Sequence, residues 1–338
     1  MNFLNLIRYK NLIFIAGLQW LMYYSIILPV LRVYQIDLQY AMSGLQFALL
    51  VGASVFIAAG GYVINDYFDT RIDEINRPEK VIIGKSISKK QASLIHQVFT
   101  GIGVVLGLTV AYFSKSLTVG LIVAIVPGLL WFYSASYKRQ FLLGNVVVAL
   151  NAAFVPLIIV TAETAFLSRP ENYGDLITQT PIIPTLYVWI CGFAAFAFLT
   201  TLIREIIKDI EDEHGDREME SRTIPIVWGA AKTKILLYGL IAITLGLVAF
   251  AYTKFISGFG LFGIEKSSLA IRYIIFGLFI PFAYLVFLLI KAKTPANYHQ
   301  AATFCKFIMV IGALFSLIFY FLLAKGQGIP MFDLFIVK

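Results

Sequence analysis

Two short stretches of this chain hold acidic residues at a spacing that can grip a cation. One is NDYFDTRID, with Asn65, Asp66, Asp69 and Asp73; the other is KDIEDEHGD, with Asp209, Asp212 and Asp216. Both acid sets are spaced i, i+3, i+7. On a helix that spacing keeps three carboxylates within about 60° of one face. The separations Asp66 to Asp209, Asp69 to Asp212 and Asp73 to Asp216 are identical. Carboxylates held this close repel one another, which raises their pKa values unless a cation shares the site. The negative end of a helix dipole adds to that penalty and favours a bound cation. With oxygen donors alone, and no His or Cys at ligand spacing, the cation is a hard one such as Mg2+. One such row alone is as often a solvated helix face. Its repetition speaks against that reading.

Basic residues lie close by in sequence. The run YSASYKR places Tyr133, Lys138 and Arg139 together, Arg77 follows the first acid row, and Arg204 and Lys208, one turn apart, precede the second. Singly, such residues at the ends of apolar runs anchor a membrane protein to the cytoplasmic side. Beside carboxylate-held Mg2+, which keeps positions open for phosphate oxygens, they complete a diphosphate site. An allylic C–O bond ionises once Mg2+ and bases stabilise the departing diphosphate. The carbocation then needs a dry pocket. Aromatic faces stabilise such a cation, and Phe68, Phe132, Tyr133 and Phe198 fall near the relevant ends. Membrane interfaces collect aromatics in any case.

The elements that must carry these residues are apolar. Of 338 residues, 59% are hydrophobic and 14% charged, with mean hydropathy +0.84. That balance excludes an ordinary soluble domain. Apolar runs fall at 11–31, 45–66, 92–113, 117–134, 142–163, 185–207, 235–252, 270–290 and 304–323. Each has close to the ~20 residues a helix needs to cross the hydrocarbon core. Helices are required, because lipid leaves no partner for open backbone groups. The expected fold is an all-α membrane protein of nine transmembrane helices in a single polytopic domain, 1–338. Lys and Arg concentrate in the N-terminus and after spans two, four, six and eight. That predicts a cytoplasmic N-terminus, a C-terminus on the opposite side and both acid rows facing the cytoplasm. Arg8 and Lys10 precede span one as in a signal sequence, but the run is too long for an h-region and reads as a retained span. The net charge of +8 is accounted for by these flanks, so nucleic acid is not required. Cys191 and Cys305 both lie in apolar runs and support neither a disulfide framework nor a zinc site.

These motifs resemble those of the UbiA-type intramembrane prenyltransferases. NDYFDTRID is similar to the family's first acidic motif and KDIEDEHGD to its second. SRTIPIVWG (221–229) resembles the stretch that follows the second, and YSASYKR with Gly144 and Asn145 resembles a motif between them. The resemblance implies nine helices around a central cavity, with the connections at about 67–91 and 208–234 as a cytoplasmic cap. It implies two Mg2+ ions held by Asn65, Asp66, Asp69 and Asp73 with Asp209, Asp212 and Asp216. It implies Lys138 and bases near the second motif on the diphosphate, and hence a polyprenyl diphosphate and a prenyl acceptor as substrates. After Arg77, Pro78 and Glu79 this chain reads Lys80-Val81-Ile82-Ile83 where many members have a second Arg-Pro-Ile-Pro; the departure bears on acceptor contacts. NDYFDTRIDEINRP is most similar to the branch that alkylates geranylgeranylglyceryl phosphate. An aromatic acceptor such as a hydroxybenzoate or naphthoate is the alternative.

Other classes predict other features. A transporter carries its charged groups near the midplane, often in broken helices; here Pro127-Gly128 is the one such break signal weighed, with no charge beside it. A lipid-binding scaffold would ignore Mg2+ and survive loss of the acids. His96, His214 and His299 are scattered, Asn145 and Asn151 read as helix-to-helix hydrogen bonds, and Glu163 reads as an outer-interface residue.

Overall fold

A computed structural model describes residues 2–76, 78, 81–169, 180–256 and 268–336. Among these residues, nine helices are long and apolar enough to cross a membrane: α1 Tyr9–Val33, α2 Gly44–Ile75, α3 Lys89–Ser114, α4 Leu117–Ala135, α5 Leu143–Leu167, α6 Ile182–Glu211, α7 Ile224–Phe255, α8 Ser268–Lys291 and α9 Pro295–Gln327. The chain is an integral membrane protein. α4 runs unbroken through Pro127, so the break signal there is not realised. A two-residue antiparallel ladder, Pro330–Met331 with Phe335–Ile336, follows α9.

Two helices act as hubs. α2 packs against α1, α3 and α4, and α6 against α5, α7 and α9. Small residues permit the close approach of α2 and α3: a Cβ on Gly103 would stand 2.9 Å from the Ala53 carbonyl oxygen. α2 carries the first acid row at its C-terminal end, and the second row begins at the C-terminal end of α6.

Both hubs outlast their apolar runs. The helix that contains α2 continues to Asn76, ten residues beyond the 45–66 run, so Asp66, Asp69 and Asp73 stand on one uninterrupted helix. The expected shared face holds there. It does not hold for the second row. α6 ends at Glu211, Asp212 caps it at φ −95°, ψ 7°, and Asp216 belongs to a separate short helix, Glu213–Glu218. The physical reason is the run Glu211-Asp212-Glu213. Acids are unfavourable at a helix C-terminus and favourable in a first turn, and restarting the helix places Glu213 and Asp216 in a first turn. α7 also starts earlier than its 235–252 run, with a kink at Gly229 (φ 78°, ψ 156°); Lys232 and Lys234 mask this first part of the helix from hydropathy.

Glu163 is fully buried and accepts a hydrogen bond from the Met42 N–H (3.1 Å), tying α5 to the link between α1 and α2.

Candidate active site

Lys138 is delivered by a turn that tolerates little change. α4 stops at Ala135 and a single 3-10 turn, Tyr137–Arg139, leads to α5. A Cβ on Gly144 would stand 2.8 Å from both the Lys138 Cα and the Tyr137 carbonyl oxygen, so only glycine lets the start of α5 lie against this turn. Lys138 Nζ donates to Asp69 Oδ2. The same oxygen accepts from Asn65 Nδ2 at 2.7 Å. Asp69 is buried. Asp73 and the half-buried Tyr133 also lie within electrostatic reach of the ammonium. Burial opposes the charge on Lys138, but Asp69, Tyr133 and Asp73 outweigh it and hold the ammonium above the ordinary lysine range.

The second row reaches the same ammonium by another route. The short helix Glu213–Glu218 packs against α2. It brings Asp216, itself buried, into the field of Lys138 and Asp69. Burial pushes the Asp216 carboxyl up to about 6; Lys138 opposes that shift, and Asp212 and Asp69 add to it. The segment after this helix is pinned by Ser221 N–H to the Asp216 carbonyl (2.9 Å) and by Arg222 N–H to the Arg139 carbonyl (2.8 Å). Asp209 accepts from Asn145 Nδ2 at 2.8 Å. Asp212 is half-buried at the joint between them.

Next to this cluster is a cavity of about 680 Å3. α2 contributes Asp66 and Asp73 to its lining, α6 contributes Arg204 and Lys208, and α9 contributes Lys306. Arg8 closes the N-terminal side. Its guanidinium donates to Asp66 Oδ1 at 2.8 Å and lies over the Tyr62 ring at 5.0 Å. Burial disfavours its charge, yet Asp66 and Tyr62 hold it above the arginine range. Arg204 and Lys208 share the carboxylate of Glu205, Lys208 at 3.5 Å. His299 Nδ1 pairs with Glu211 Oε1 at 2.9 Å on the cavity's rim.

The structure thus gathers Asn65, Asp66, Asp69, Asp73, Asp209, Asp216, Lys138 and Tyr133 into one region, with Asp212 at its joint and Arg204 and Lys208 on the adjoining cavity wall. Arg139 is exposed and is not among the residues lining the cavity; it contributes its backbone carbonyl to Arg222 instead. Arg77 lies outside the described residues. None of the aromatic residues singled out above lines the cavity. Three residues escaped the sequence reading. In sequence Arg8 reads as an anchor and His299 as a scattered histidine, and Lys306 carries no expectation. A lysine within an apolar run was a usable signal, because such residues are costly and usually functional. Asn145 does make an inter-helix bond, but its partner is an acid of the second row.

The donors fit a hard divalent cation. They are carboxylates and one amide, and the Asn65 Oδ1 is buried with no hydrogen-bond partner beside Asp69. Among the described residues no three acids stand together at ligation distance; the Lys138 ammonium lies among them.

Comparison with known proteins bears on this site. Residues 26–311 match the model for the UbiA prenyltransferase family. The digeranylgeranylglyceryl phosphate synthase of Methanosphaera stadtmanae is 31% identical over 267 residues, 78% of this chain and 85% of that protein. The enzyme of the same name from Saccharolobus solfataricus is 36% identical over 201 residues, 58% of this chain and 62% of that protein. A solved structure from work on digeranylgeranylglyceryl phosphate synthase in membranes covers 94% of this chain and 97% of its own, with TM-score 0.59 and 24% identity. A UbiA homologue from Archaeoglobus fulgidus, solved bound to DMAPP and Mg2+, covers 94% of this chain and 99% of its own, with TM-score 0.51 and 17% identity. At these identities the two structures speak for the fold.

Proposed function

The chain belongs to the UbiA prenyltransferase family and is a prenyltransferase, and from that membership we propose that it transfers a polyprenyl group, geranylgeranyl for preference, from its diphosphate to geranylgeranylglyceryl phosphate. The observation that carries the reading is the convergence of both acid rows on Lys138, next to a cavity with an acidic and a basic side. Mg2+, when bound, neutralises diphosphate oxygens and makes that group a better leaving group.

The residues that would hold Mg2+ are Asn65, Asp66, Asp69 and Asp73 with Asp209, Asp212 and Asp216. Asn65 and Asn145 each donate to one of these acids and fix its orientation. Lys138 stands where it can donate to a diphosphate oxygen as negative charge develops. Arg204 and Lys208 neutralise substrate phosphate from the α6 side, and Tyr133 lies within electrostatic reach of Lys138. The C1–O bond of the donor breaks with its electron pair leaving on diphosphate. The acceptor hydroxyl forms the new C–O bond, and its proton passes to the departing diphosphate. The basic loops favour a cytoplasmic N-terminus and a site on that side, with the connections around it as a cap.

The test is direct. Purified protein receives geranylgeranyl diphosphate, Mg2+ and a panel of acceptors: geranylgeranylglyceryl phosphate, a hydroxybenzoate and a naphthoate. Mass spectrometry of the lipids should show digeranylgeranylglyceryl phosphate, lost on chelation of Mg2+. Exclusive prenylation of an aromatic acceptor would replace the proposed acceptor. Turnover that ignores chelation would remove the metal from the reading.

A further inference from the structure

The cavity beside the acid rows has two walls of opposite charge. Its α2 wall offers Asp66, paired with Arg8, and Asp73; its α6 and α9 wall offers Arg204, Lys208 and Lys306, with Glu211 there paired to His299. We propose that Lys306, with Arg204 and Lys208, forms a subsite for the phosphate of the prenyl acceptor, separate from the acid rows that serve the donor. This rests on the phosphate-bearing acceptor proposed above and assigns it a place.

Lys306 is the residue that demands explanation. It lies eleven residues into α9, which begins at Pro295, so it sits about 16 Å along that helix at 1.5 Å per residue. It is the third residue of the apolar run 304–323 and is itself exposed; a cation inside an apolar run is costly unless it reaches water or an anion. The structure surrounds it with more positive charge: Arg204, Lys208 and Arg8 all lie within its electrostatic reach. Glu205 is already shared between Arg204 and Lys208, and Glu211 on the same wall is paired with His299. The neutralisation is incomplete in a second respect, because the Arg204 Nε is buried with no hydrogen-bond partner. Like charges gathered on one wall, with too little acid among them, mark a place built for an anion. Asn11 and Thr303 line the same cavity and add neutral hydrogen-bonding groups.

The charge division also sets orientation. A phosphomonoester is repelled by the α2 acids and attracted by the α6 and α9 bases. An acceptor seated with its phosphate on Lys306 turns the rest of its glycerol, and the free hydroxyl, towards the acid rows and Lys138. The α2 acids on the opposite wall would hold the cation that neutralises the donor's diphosphate.

The experiment uses the full chain in lipid nanodiscs, as wild type, Lys306→Gln and Lys306→Arg. Geranylgeranylglyceryl phosphate and the neutral geranylgeranylglycerol are compared as acceptors, each at varied geranylgeranyl diphosphate. Lys306→Gln should raise KM for the phosphate acceptor about tenfold, leave KM for the donor in place and reduce the preference for phosphate over alcohol by the same factor. Lys306→Arg should restore most of it. Lys208→Gln, on a different helix, should show the same split, which keeps the test intact if Lys306→Gln misfolds. A donor KM that rises in step with the acceptor KM, or an acceptor KM that does not move, overturns the subsite. If the wild type makes no product from this acceptor, the functional reading fails on its own. Titration of geranylgeranylglyceryl phosphate without donor or Mg2+, read by tryptophan fluorescence, then decides the subsite: weaker binding to Lys306→Gln than to wild type supports it, and equal binding overturns it.

Discussion

Asn145 Nδ2 donates to Asp209 Oδ2 at 2.8 Å, joining the start of α5 to the last turns of α6. The asparagine is 7% exposed, so little water is on hand to replace it. A group that orients a metal-binding carboxylate typically contributes about 10–100-fold to metal affinity. Asn145→Ala should therefore raise the half-saturating Mg2+ concentration about tenfold or more, with kcat at saturating Mg2+ falling less. Asn145→Asp sets two carboxylates face to face and should be worse than alanine. Initial rates across a Mg2+ titration check this; unchanged Mg2+ dependence in Asn145→Ala would remove Asp209 from the metal site.

Lys138 and Asp69 form a pair that separates stability from turnover. Their side chains are 28% and 7% exposed, so breaking the pair costs less than a fully buried ion pair would, about 1–3 kcal/mol. Lys138→Ala and Asp69→Ala should each lower the melting temperature, and the double variant should lose less than the sum of the two. Turnover should behave differently. Each single variant should lose at least about 100-fold in kcat, and the double variant should recover none of it. Strict additivity in the melting temperatures would mean that the pair does not form.

Asp212 offers a cleaner loss of function. The joint between α6 and Glu213–Glu218 is made by backbone, the Asp216 N–H donating to the Asp212 carbonyl at 3.1 Å. Asp212→Ala removes the carboxylate and keeps that bond. It should fall at least about 100-fold in turnover while its circular dichroism keeps the wild-type helix content. Full activity in Asp212→Ala would reduce the second row to Asp209 and Asp216.

The acid rows were legible because spacing is local information. Asp66, Asp69 and Asp73 share a face through helix periodicity alone, and α2 realises it. The second row kept its spacing but not its helix, because acids at a C-terminus cost enough for the backbone to restart at Asp212. What meets only through tertiary packing was not legible. Arg8 on Asp66 and Lys306 beside Arg204 join residues from segments distant in sequence, and no pattern in either segment announces the other. Asn145 was visible as a polar residue in an apolar run, and only the packing of α5 on α6 identifies its partner. Arg139, adjacent to Lys138 in sequence, shows the reverse: neighbours in a basic pair have different surroundings when a 3-10 turn carries them both.

Gly144 tests whether the position of Lys138 matters as much as its charge. A Cβ there would come within 2.8 Å of the Lys138 Cα and the Tyr137 carbonyl oxygen. Both are backbone-bound atoms, so the turn Tyr137–Arg139 must move rather than a side-chain tip. Overpacking of this kind costs about 1–3 kcal/mol. A displacement of about 1 Å at a positioned group can cost about 100-fold in rate. Gly144→Ala should therefore lose about 10–100-fold in kcat with only a modest fall in melting temperature. Gly128 in α4 is the control, since a Cβ there meets nothing within 4 Å; Gly128→Ala should match wild type in both measurements. A fully active Gly144→Ala would mean that Lys138 reaches the diphosphate from more than one backbone position, and that its charge alone is what the reaction uses.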